Sequence, residues 1–372
     1  WIELLKSSYY KAPAYAELET LPNIDINIKC GNSLISRYAL DADIKKALKR
    51  SKWNIKDYQI AVMNYRNAHS KDEKRAMEDL ISTIKTDFET EVSTSDKRFI
   101  KLSKSKGELF KLTNQGQLFE KSKKEIAEWN KKVAEYSTAI TKLEKEIEEI
   151  KNNAIYKNAF EWRFEFPEVL NDEGDFVGFD VVIGNPPYIR QEELIDLKPH
   201  LQTNYETFAG MADMYVYFVE KGMNILRNNG NFIYILPNKW MRAGYGKSLR
   251  TWIKQFEINS IIDFGDLPVF DEASTYPSIF FLNKRKVNNS KFKAVVVDTL
   301  SFPLGLSYYV QEKSIKVSQN ELQENGWSLV KNDVQDLLQK ILGKGVPLGE
   351  YVNGRIYRGV LTGFNEAFII DT

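Results

Sequence analysis

The stretch "VVIGNPPYIR", residues 181–190, decides how this chain folds. Branched apolar residues lead into Gly184, as in a strand of a parallel sheet. Four residues with a special chemistry follow directly: Asn185, Pro186, Pro187 and Tyr188. Proline fixes φ at about −65°, lacks an N–H group and holds the preceding residue extended. The stretch therefore predicts a rigid turn after a buried strand, in which an amide side chain and the Pro186 carbonyl accept hydrogen bonds.

The carboxyl-terminal half alternates between strand and helix patterns. Helices are predicted over about 214–227 and over 244–256. The predicted strands are 179–185, 232–237, 258–265 and 276–284. This order predicts a parallel sheet with helices on both faces, in which ligands lie beyond the carboxyl ends of the strands.

A further strand is predicted near the amino terminus. Residues 24–29, "IDINIK", alternate between apolar and polar side chains. The turn "CGNSL" follows, so Asn32 is expected at the same sheet edge as Asn185.

Residues 56–157 have a different character, because no proline lies between Pro22 and Pro167 and charged residues dominate. A heptad stripe comprises Phe119, Ser122, Ile126, Trp129, Val133, Tyr136, Ile140, Leu143, Ile147 and Ile150. A looser stripe upstream comprises Tyr58, Val62, Tyr65, Met77, Leu80, Ile84 and Phe88. We expect two helices, each about 50 Å long, in an antiparallel hairpin; the alternative is a coiled coil between two chains.

The composition excludes several classes of protein. With 52 basic and 51 acidic residues, the net charge of +1 neither indicates nor excludes a nucleic-acid partner. One cysteine (Cys30) cannot form a disulfide within the chain, and with only two histidines no ordinary zinc site is expected. Neither a membrane-spanning run nor a signal peptide occurs, so a cytoplasmic location is expected.

The turn after residue 184 suits a substrate that only donates hydrogen bonds, such as the exocyclic amine of a nucleobase. Two acceptors on its N–H bonds favour a tetrahedral nitrogen, and the lone pair can then attack an electrophilic methyl group. Tyr188 offers a face for a base extruded from a duplex. The structural alternative is a proline-rich turn after a core strand.

"GNPPYI" resembles the catalytic motif of S-adenosylmethionine-dependent amino-methyltransferases, and its best match is the DNA adenine-N6 type. The order of further segments is similar to the methyltransferase part of type IIG restriction–modification enzymes. These segments are "NIKCGNSLI", "AFEWRFEFPEVL", "DMYVYFVEKGMNILRNNGNFIYILPNKWM", "DFGDLPVFDEASTYPSIFFLNK" and "RIYRGVLTGFNEAFII". The resemblance covers nearly the whole chain. It implies a Rossmann-like α/β sheet interrupted by the helical hairpin.

The resemblance also implies roles for individual residues. Asn185 and Pro186 would hold the target amine, and Pro187 completes the motif. Tyr188 and Phe270 would stack on the target base, although Phe270 could equally be a core residue. Asn32, together with Asn185, would contact the cofactor; the alternative for Asn32 is a turn residue that caps a helix starting near Ser33.

The chain departs from the family at both ends. The glycine-rich cofactor loop and the first strands are expected before Trp1, and the target-recognition domain is expected beyond the carboxyl end. We therefore expect S-adenosylmethionine to bind this chain weakly or not at all. The predicted division is residues 1–55 for the first part of the core, 56–157 for the hairpin, 158–300 for the catalytic core and 301–372 for the entry to target recognition.

The expected partners are double-stranded DNA and the nuclease and target-recognition domains of the same full-length protein, acting as a monomer. Basic residues after two predicted strands could contact phosphates, or could form a solvated surface: Lys239, Arg242, Lys247, Arg250, Lys284, Arg285 and Lys286. Two alternatives stay open. One is an amino-methyltransferase that acts on RNA or on protein glutamine, and the other is a non-catalytic DNA-binding or scaffold module.

Overall fold

A computed structural model of the chain shows a mixed α/β architecture. It describes residues 10–11, 17–18, 23–40, 45, 49–95, 97–114, 123–152, 154–270, 275–287, 291–329, 337, 340–341 and 343–356. The predicted "RIYRGVLTGFNEAFII" segment at the carboxyl end lies mostly outside the described residues. Among the described helices, none has both the length and the apolar character needed to cross a membrane.

Eight strands occur in the described residues. They are β1 Tyr10–Lys11, β2 Glu17–Leu18, β3 Phe179–Gly184, β4 Leu226–Pro237, β5 Phe256–Asp263, β6 Pro277–Lys286, β7 Lys291–Val296 and β8 Ile315–Ser318. The first two form a small antiparallel pair, and the other six form an open sheet in the order β3-β4-β6-β5-β7-β8. The β3–β4 and β5–β7 pairs are parallel, whereas β7–β8 is antiparallel. This confirms the α/β class and the four strands predicted in the catalytic half.

The helices are α1 Ile55–Arg66, α2 Lys71–Ser95, α3 Lys97–Asn114, α4 Lys123–Asn152, α5 Trp162–Glu165, α6 Lys198–Asn204, α7 Met214–Asn224, α8 Lys247–Ile253, α9 Leu306–Lys313 and α10 Leu348–Tyr351. Asn54 begins α1 with a capping box, since its side chain accepts from the Asp57 N–H while the Asp57 carboxylate accepts from the Asn54 N–H. A short 3-10 turn, Gly244–Gly246, precedes α8.

In the described residues of the helical insertion there are four helical segments, where two long helices were predicted. The upstream stripe is buried between α1 and α2, where Tyr58, Ile84 and Phe88 join one apolar cluster with Phe164 and Leu170 of the core. The part of the heptad stripe from Ile126 onward instead lies on α4, which packs against α3. Phe119 and Ser122 lie outside the described residues. Leu143 and Ile147 are buried there. Each stripe therefore has its own partner helix, so the two do not meet in a single hairpin.

Two contacts fix the direction of α4 relative to α3. Trp129 near the start of α4 donates to the carbonyl of Leu112, near the end of α3, at 3.0 Å. Glu144, far along α4, pairs with Lys106 at 2.7 Å. Because residues later in α4 contact residues earlier in α3, the two helices run antiparallel.

The chain divides into two compact units. One comprises residues 1–234 and 282–286, and the other comprises residues 235–281 and 287–372. The division into four domains drawn from the sequence is a functional one and stays a prediction.

The strand predicted over residues 24–29 is wrong. Residues Ile24–Asn27 form a 3-10 turn that packs against α1. The polar side chain of Asp25 is used there, because the Tyr65 hydroxyl donates to it at 3.1 Å and Lys74 forms an ion pair with it. The alternation of apolar and polar residues thus reflects packing on a helix and not pairing in a sheet.

Strand β3 exists as predicted, but the prediction that it is fully buried is wrong. It is the terminal strand of the sheet order. On one face Val181 is 50% exposed and Ile183 is 74% exposed. The apolar run was sufficient to predict that residues 179–184 form a strand. The burial of β3 depends instead on which other elements pack beside it.

Candidate active site after strand β3

The Asn-Pro-Pro-Tyr turn begins where β3 pairs with β4. Gly184 lies beside Tyr234, and a Cβ added at Gly184 would lie 3.1 Å from the Tyr234 ring. The ring of Phe232 lies 4.2 Å from that of Tyr234, measured between centroids. A side chain at residue 184 would therefore press on a packed aromatic pair, which explains why glycine precedes the turn.

The turn itself carries two hydrogen-bond acceptors that differ in exposure. Asn185 is exposed and Pro186 is buried. Among the described residues, neither the Asn185 side chain nor the Pro186 carbonyl takes part in a hydrogen bond. Both acceptors are thus available to a ligand, and the buried proline ring holds the backbone that carries them.

The residues that follow the turn are hydrogen-bonded to the start of α7. The Met214 N–H donates to the Ile189 carbonyl at 3.0 Å, and the Gln191 N–H donates to the Asp213 side chain at 3.1 Å. These bonds follow Tyr188 closely and fix the backbone on its carboxyl side. The ring of Tyr188 is half-buried. Burial raises the pKa of Tyr188, so its hydroxyl stays protonated near neutral pH.

Asn32 does not follow a strand of the sheet. It forms an isolated parallel bridge with Ala159, and its N–H donates to the Asn158 carbonyl at 2.6 Å. Its side-chain oxygen accepts from the Leu34 N–H at 3.2 Å. Residues 33–40 contain no helix, so the predicted helix near Ser33 is wrong, whereas a local turn at the asparagine is present.

The segment around Asn32 is fastened to the residues before β3. The Phe160 N–H donates to the Ile35 carbonyl at 2.8 Å, and the Ser36 hydroxyl donates to the Phe160 carbonyl at 2.8 Å. The Glu161 carboxylate, 7% exposed, accepts from the Arg37 N–H at 2.7 Å. Burial raises the pKa of Glu161 to about 7, although hydrogen bonding by Arg37 acts in the opposite direction.

Phe270 lies in the other compact unit, at the end of the loop that follows β5. It is half-buried, and residues 271–274 lie outside the described residues. Its stacking role stays a prediction.

The basic residues divide into structural and exposed groups. Arg250 is 1% exposed and donates to the carbonyls of Trp240, Ala243 and Glu324, so it is a structural residue and not a phosphate ligand. Lys284 donates to the carbonyls of Asn224 at the end of α7 and of Leu226 at the start of β4, and burial lowers its pKa. Lys239 and Arg242 are exposed.

Two polar residues at strand ends were missed by the sequence analysis. Asn238 comes directly after β4 and Asp263 ends β5. The Asn238 amide donates to the Asp263 carboxylate at 2.7 Å. Their positions after predicted strands were the available signal, because polar residues at carboxyl ends of parallel strands often serve a site.

Comparison with known proteins gives a match for the region that contains this turn. Residues 108–270 match the family model of the Eco57I restriction-modification methylase. This region is therefore similar to that family. The match includes the Asn-Pro-Pro-Tyr turn, strands β3 to β5 and parts of the helical insertion.

The relatives of the methylase domain are much longer than this chain. The type II restriction enzyme and methyltransferase RM.Eco57I of Escherichia coli is 29% identical over 51% of this chain and 19% of its own length. The type II methyltransferase M.PaeR7I of Pseudomonas aeruginosa is 29% identical over 54% of this chain and 38% of its own length. The matched region thus spans less than half of each relative. Among solved structures, the type IIG restriction endonuclease BpuSI is 15% identical, covers 44% of this chain and 22% of that protein, and has a TM-score of 0.31.

The described residues do not by themselves supply a complete site for S-adenosylmethionine, the methyl donor that this family implies. The best match to a cofactor contact, Asn32, uses its side-chain oxygen in a local turn with the Leu34 N–H, and its own N–H donates to the Asn158 carbonyl.

Proposed function

We propose that the chain is the catalytic part of a DNA methyltransferase of a restriction–modification system, which methylates the N6 amine of an adenine extruded from the duplex. The observation that carries the proposal is a pair of acceptors at the carboxyl end of β3, the Asn185 side chain and the Pro186 carbonyl, which have no hydrogen-bond partner among the described residues. It is supported by the names of the relatives, which are type II methyltransferases.

The proposed chemistry follows from the available groups. The Asn185 side-chain oxygen and the Pro186 carbonyl accept the two N–H bonds of the amine. The nitrogen is thereby held towards a tetrahedral shape, and its lone pair points at the incoming carbon. S-adenosylmethionine, when bound, would supply the electrophilic methyl group, whose bond to sulfur breaks as the bond to nitrogen forms, so that the remainder leaves as a neutral thioether. After transfer the nitrogen carries an extra proton, which it loses towards these acceptors and then to solvent.

Tyr188 completes the proposed site on this strand. Its half-buried ring offers a stacking face, and stacking on an aromatic side chain contributes about 1–3 kcal/mol per base. The Ile189 and Gln191 backbone bonds hold the segment after it. We also propose that DNA is the substrate and that nuclease and target-recognition domains of the same full-length protein, of type IIG organisation, are its partners.

The test uses the full-length protein that carries this chain. Unmodified duplex DNA is incubated with radiolabelled S-adenosylmethionine, and the nucleosides are separated so that N6-methyladenine and N4-methylcytosine are distinguished. RNA is assayed in parallel. We expect label in N6-methyladenine only.

Asn185→Ala should abolish the transfer while leaving the melting temperature unchanged, because Asn185 is exposed. The matched control is Asn228→Ala, an exposed asparagine at the start of β4, which should keep full activity. Label in cytosine or RNA, or an active Asn185→Ala variant, would refute the proposal.

A further inference from the structure

Helix α3 differs in charge from the helices that it contacts. Its 18 residues include six basic side chains and one acidic side chain, that of Glu108. The neighbouring helix α4 carries seven basic and seven acidic residues, and α2 carries four basic and seven acidic residues. Positive charge is thus concentrated on α3, although the whole chain is almost neutral.

One side of α3 is occupied by packing. Ser105 is buried, and the Leu112 carbonyl accepts from the Trp129 indole of α4 at 3.0 Å. Lys106 pairs with Glu144 of α4 at 2.7 Å. One of the six basic residues therefore serves the contact between the two helices, and its charge is neutralised there.

Three other lysines of α3 form an exposed basic face. Lys101, Lys104 and Lys111 are exposed. They lie on one side of the helix, because residues three and seven positions apart share a face. Lys111 pairs with Glu108 of the same helix at 2.9 Å. Among the described residues, the side chains of Lys101 and Lys104 take part in no hydrogen bond or ion pair.

The positive charges of α3 repel one another. Lys101 follows Lys97 by four residues and Arg98 by three. It also precedes Lys104 by three residues. Like charges at these spacings destabilise a helix. A local conflict of this kind is typical of a surface that serves a partner, and a polyanion converts the repulsion into attraction.

We propose that the basic face of α3, formed by Lys101, Lys104 and Lys111, contacts the phosphate backbone of double-stranded DNA. The choice of DNA as the partner rests on the proposed function. From Lys101 to Lys111 the helix rises by about 15 Å. One strand of a duplex places about four phosphates along that length. Lysine carries its charge on a flexible stem, so these contacts need no fixed register.

Phosphate contacts carry no sequence information. The basic face should therefore strengthen binding to any DNA duplex, whatever its sequence. It should lower KM for DNA and leave kcat unchanged, because the proposal gives these lysines no contact with the reacting atoms.

The expected effect on DNA binding follows from counterion release. Each phosphate contact contributes about 0.9 to the slope of log K against log salt concentration. Lys101→Gln combined with Lys104→Gln should therefore reduce that slope by about 1.8. The affinity lost relative to the wild type should then be about 12-fold larger at about 50 mM salt than at about 200 mM salt. Glutamine has nearly the helix propensity of lysine, so the melting temperature should not fall.

The experiment uses the full-length protein and fluorescence anisotropy over a series of salt concentrations. Two labelled DNA duplexes are compared, one with the sequence found methylated in cells that express the protein and one without it. A labelled RNA duplex is measured in parallel. Methyl transfer and the melting temperature are recorded for each variant.

Two control variants separate a specific face from general charge. Lys131→Gln combined with Lys132→Gln removes the same charge from exposed positions of α4 and should keep the wild-type slope. Lys101→Arg combined with Lys104→Arg keeps the charge of the basic face and should also keep the slope.

The outcomes distinguish this inference from the proposed function. Equal reductions of the slope on both DNA duplexes, absent from the two controls, would support the basic face even if the wild type transferred no methyl group, a result that would refute the proposed function alone. An active protein whose slope is unchanged by the glutamine variant would refute the inference alone. An equal loss in the α4 control, or a loss confined to RNA, would also overturn it. A wild-type protein that neither binds DNA nor transfers a methyl group would refute both.

Discussion

Replacing Glu161 by glutamine should change how the free energy of unfolding depends on pH. Glu161 fastens the segment that carries Asn32, through the Arg37 N–H, while it is almost fully buried. Burial raises its pKa to about 7 from an ordinary value of 4.5. The folded state therefore binds this proton more tightly than the unfolded state. The stabilising contribution is complete below pH 4.5, is lost as the pH rises to about 7, and stays constant above.

The magnitude follows from the size of this shift. The two values differ by about 2.5 pH units, and each unit corresponds to 1.36 kcal/mol, so the contribution amounts to about 3 kcal/mol. Glutamine keeps an acceptor for the Arg37 N–H but carries no charge. The stability of Glu161→Gln relative to wild type should therefore increase by about 3 kcal/mol between pH 4.5 and pH 7.

Urea unfolding followed by circular dichroism, at half-unit steps from pH 4.5 to pH 8, measures this difference. Glu193→Gln is the matched control, since Glu193 is exposed. Its stability profile should run parallel to that of the wild type. Parallel profiles for the wild type and Glu161→Gln would refute the reasoning, because they would mean that the pKa of Glu161 is the same in the folded and the unfolded state.

Three further results are expected. Tyr188→Phe should keep most of the methyl-transfer rate because the ring remains, whereas Tyr188→Ala should lose about 1–3 kcal/mol of stacking; equal rates in the two variants would contradict stacking. Leu143→Ala should lower the free energy of unfolding by about 2–5 kcal/mol, because Leu143 is buried. Ile126→Ala should lower it by less than about 0.5 kcal/mol, because Ile126 is exposed on the same stripe. Urea unfolding measures both values, and equal losses would contradict the packing of α4 on α3. Arg250→Ala should lower the free energy of unfolding by more than about 3 kcal/mol, because buried carbonyls lose their donor. Arg242→Ala should leave that free energy unchanged and reduce the salt dependence of DNA binding, the slope of log K against log salt concentration, by about one. Fluorescence anisotropy measures this slope, and an unchanged slope would exclude a phosphate contact by Arg242.

The strands that the sequence predicted correctly share one property. β3, β4 and β6 each contain an uninterrupted run of three or more apolar residues, and β5 contains the pair Ile261 and Ile262. Such a run is a local signal that needs no knowledge of neighbouring elements. Strands β7 and β8 were missed. They are short and contain lysines, and they pair antiparallel to each other at the end of the sheet order. Antiparallel strands can pack one face on the core while the other face contacts solvent, so they need no continuous apolar run.

The helical insertion shows the limit of periodicity. The heptad stripe on α4 predicted side chains that are partly or fully buried from Trp129 to Ile147, because side chains three and four residues apart share one face of a helix. Ile126, on the same stripe, is exposed. It could not predict the partner. Any two helices with apolar stripes could pack together as far as their patterns show. In the folded chain α1 packs on α2, and α3 packs on α4.

The sequence by itself determined the Asn-Pro-Pro-Tyr turn. Proline restricts its own φ and the conformation of the residue before it, and these covalent restrictions act wherever the chain folds. The tertiary structure decided the rest. Arg250 and Arg242 are identical as residue types, yet one is buried on backbone carbonyls and the other is exposed. The Asn238–Asp263 bond joins residues 25 positions apart. Burial and long-range hydrogen bonds depend on which elements meet in space, and only the folded chain brings these groups within hydrogen-bonding distance.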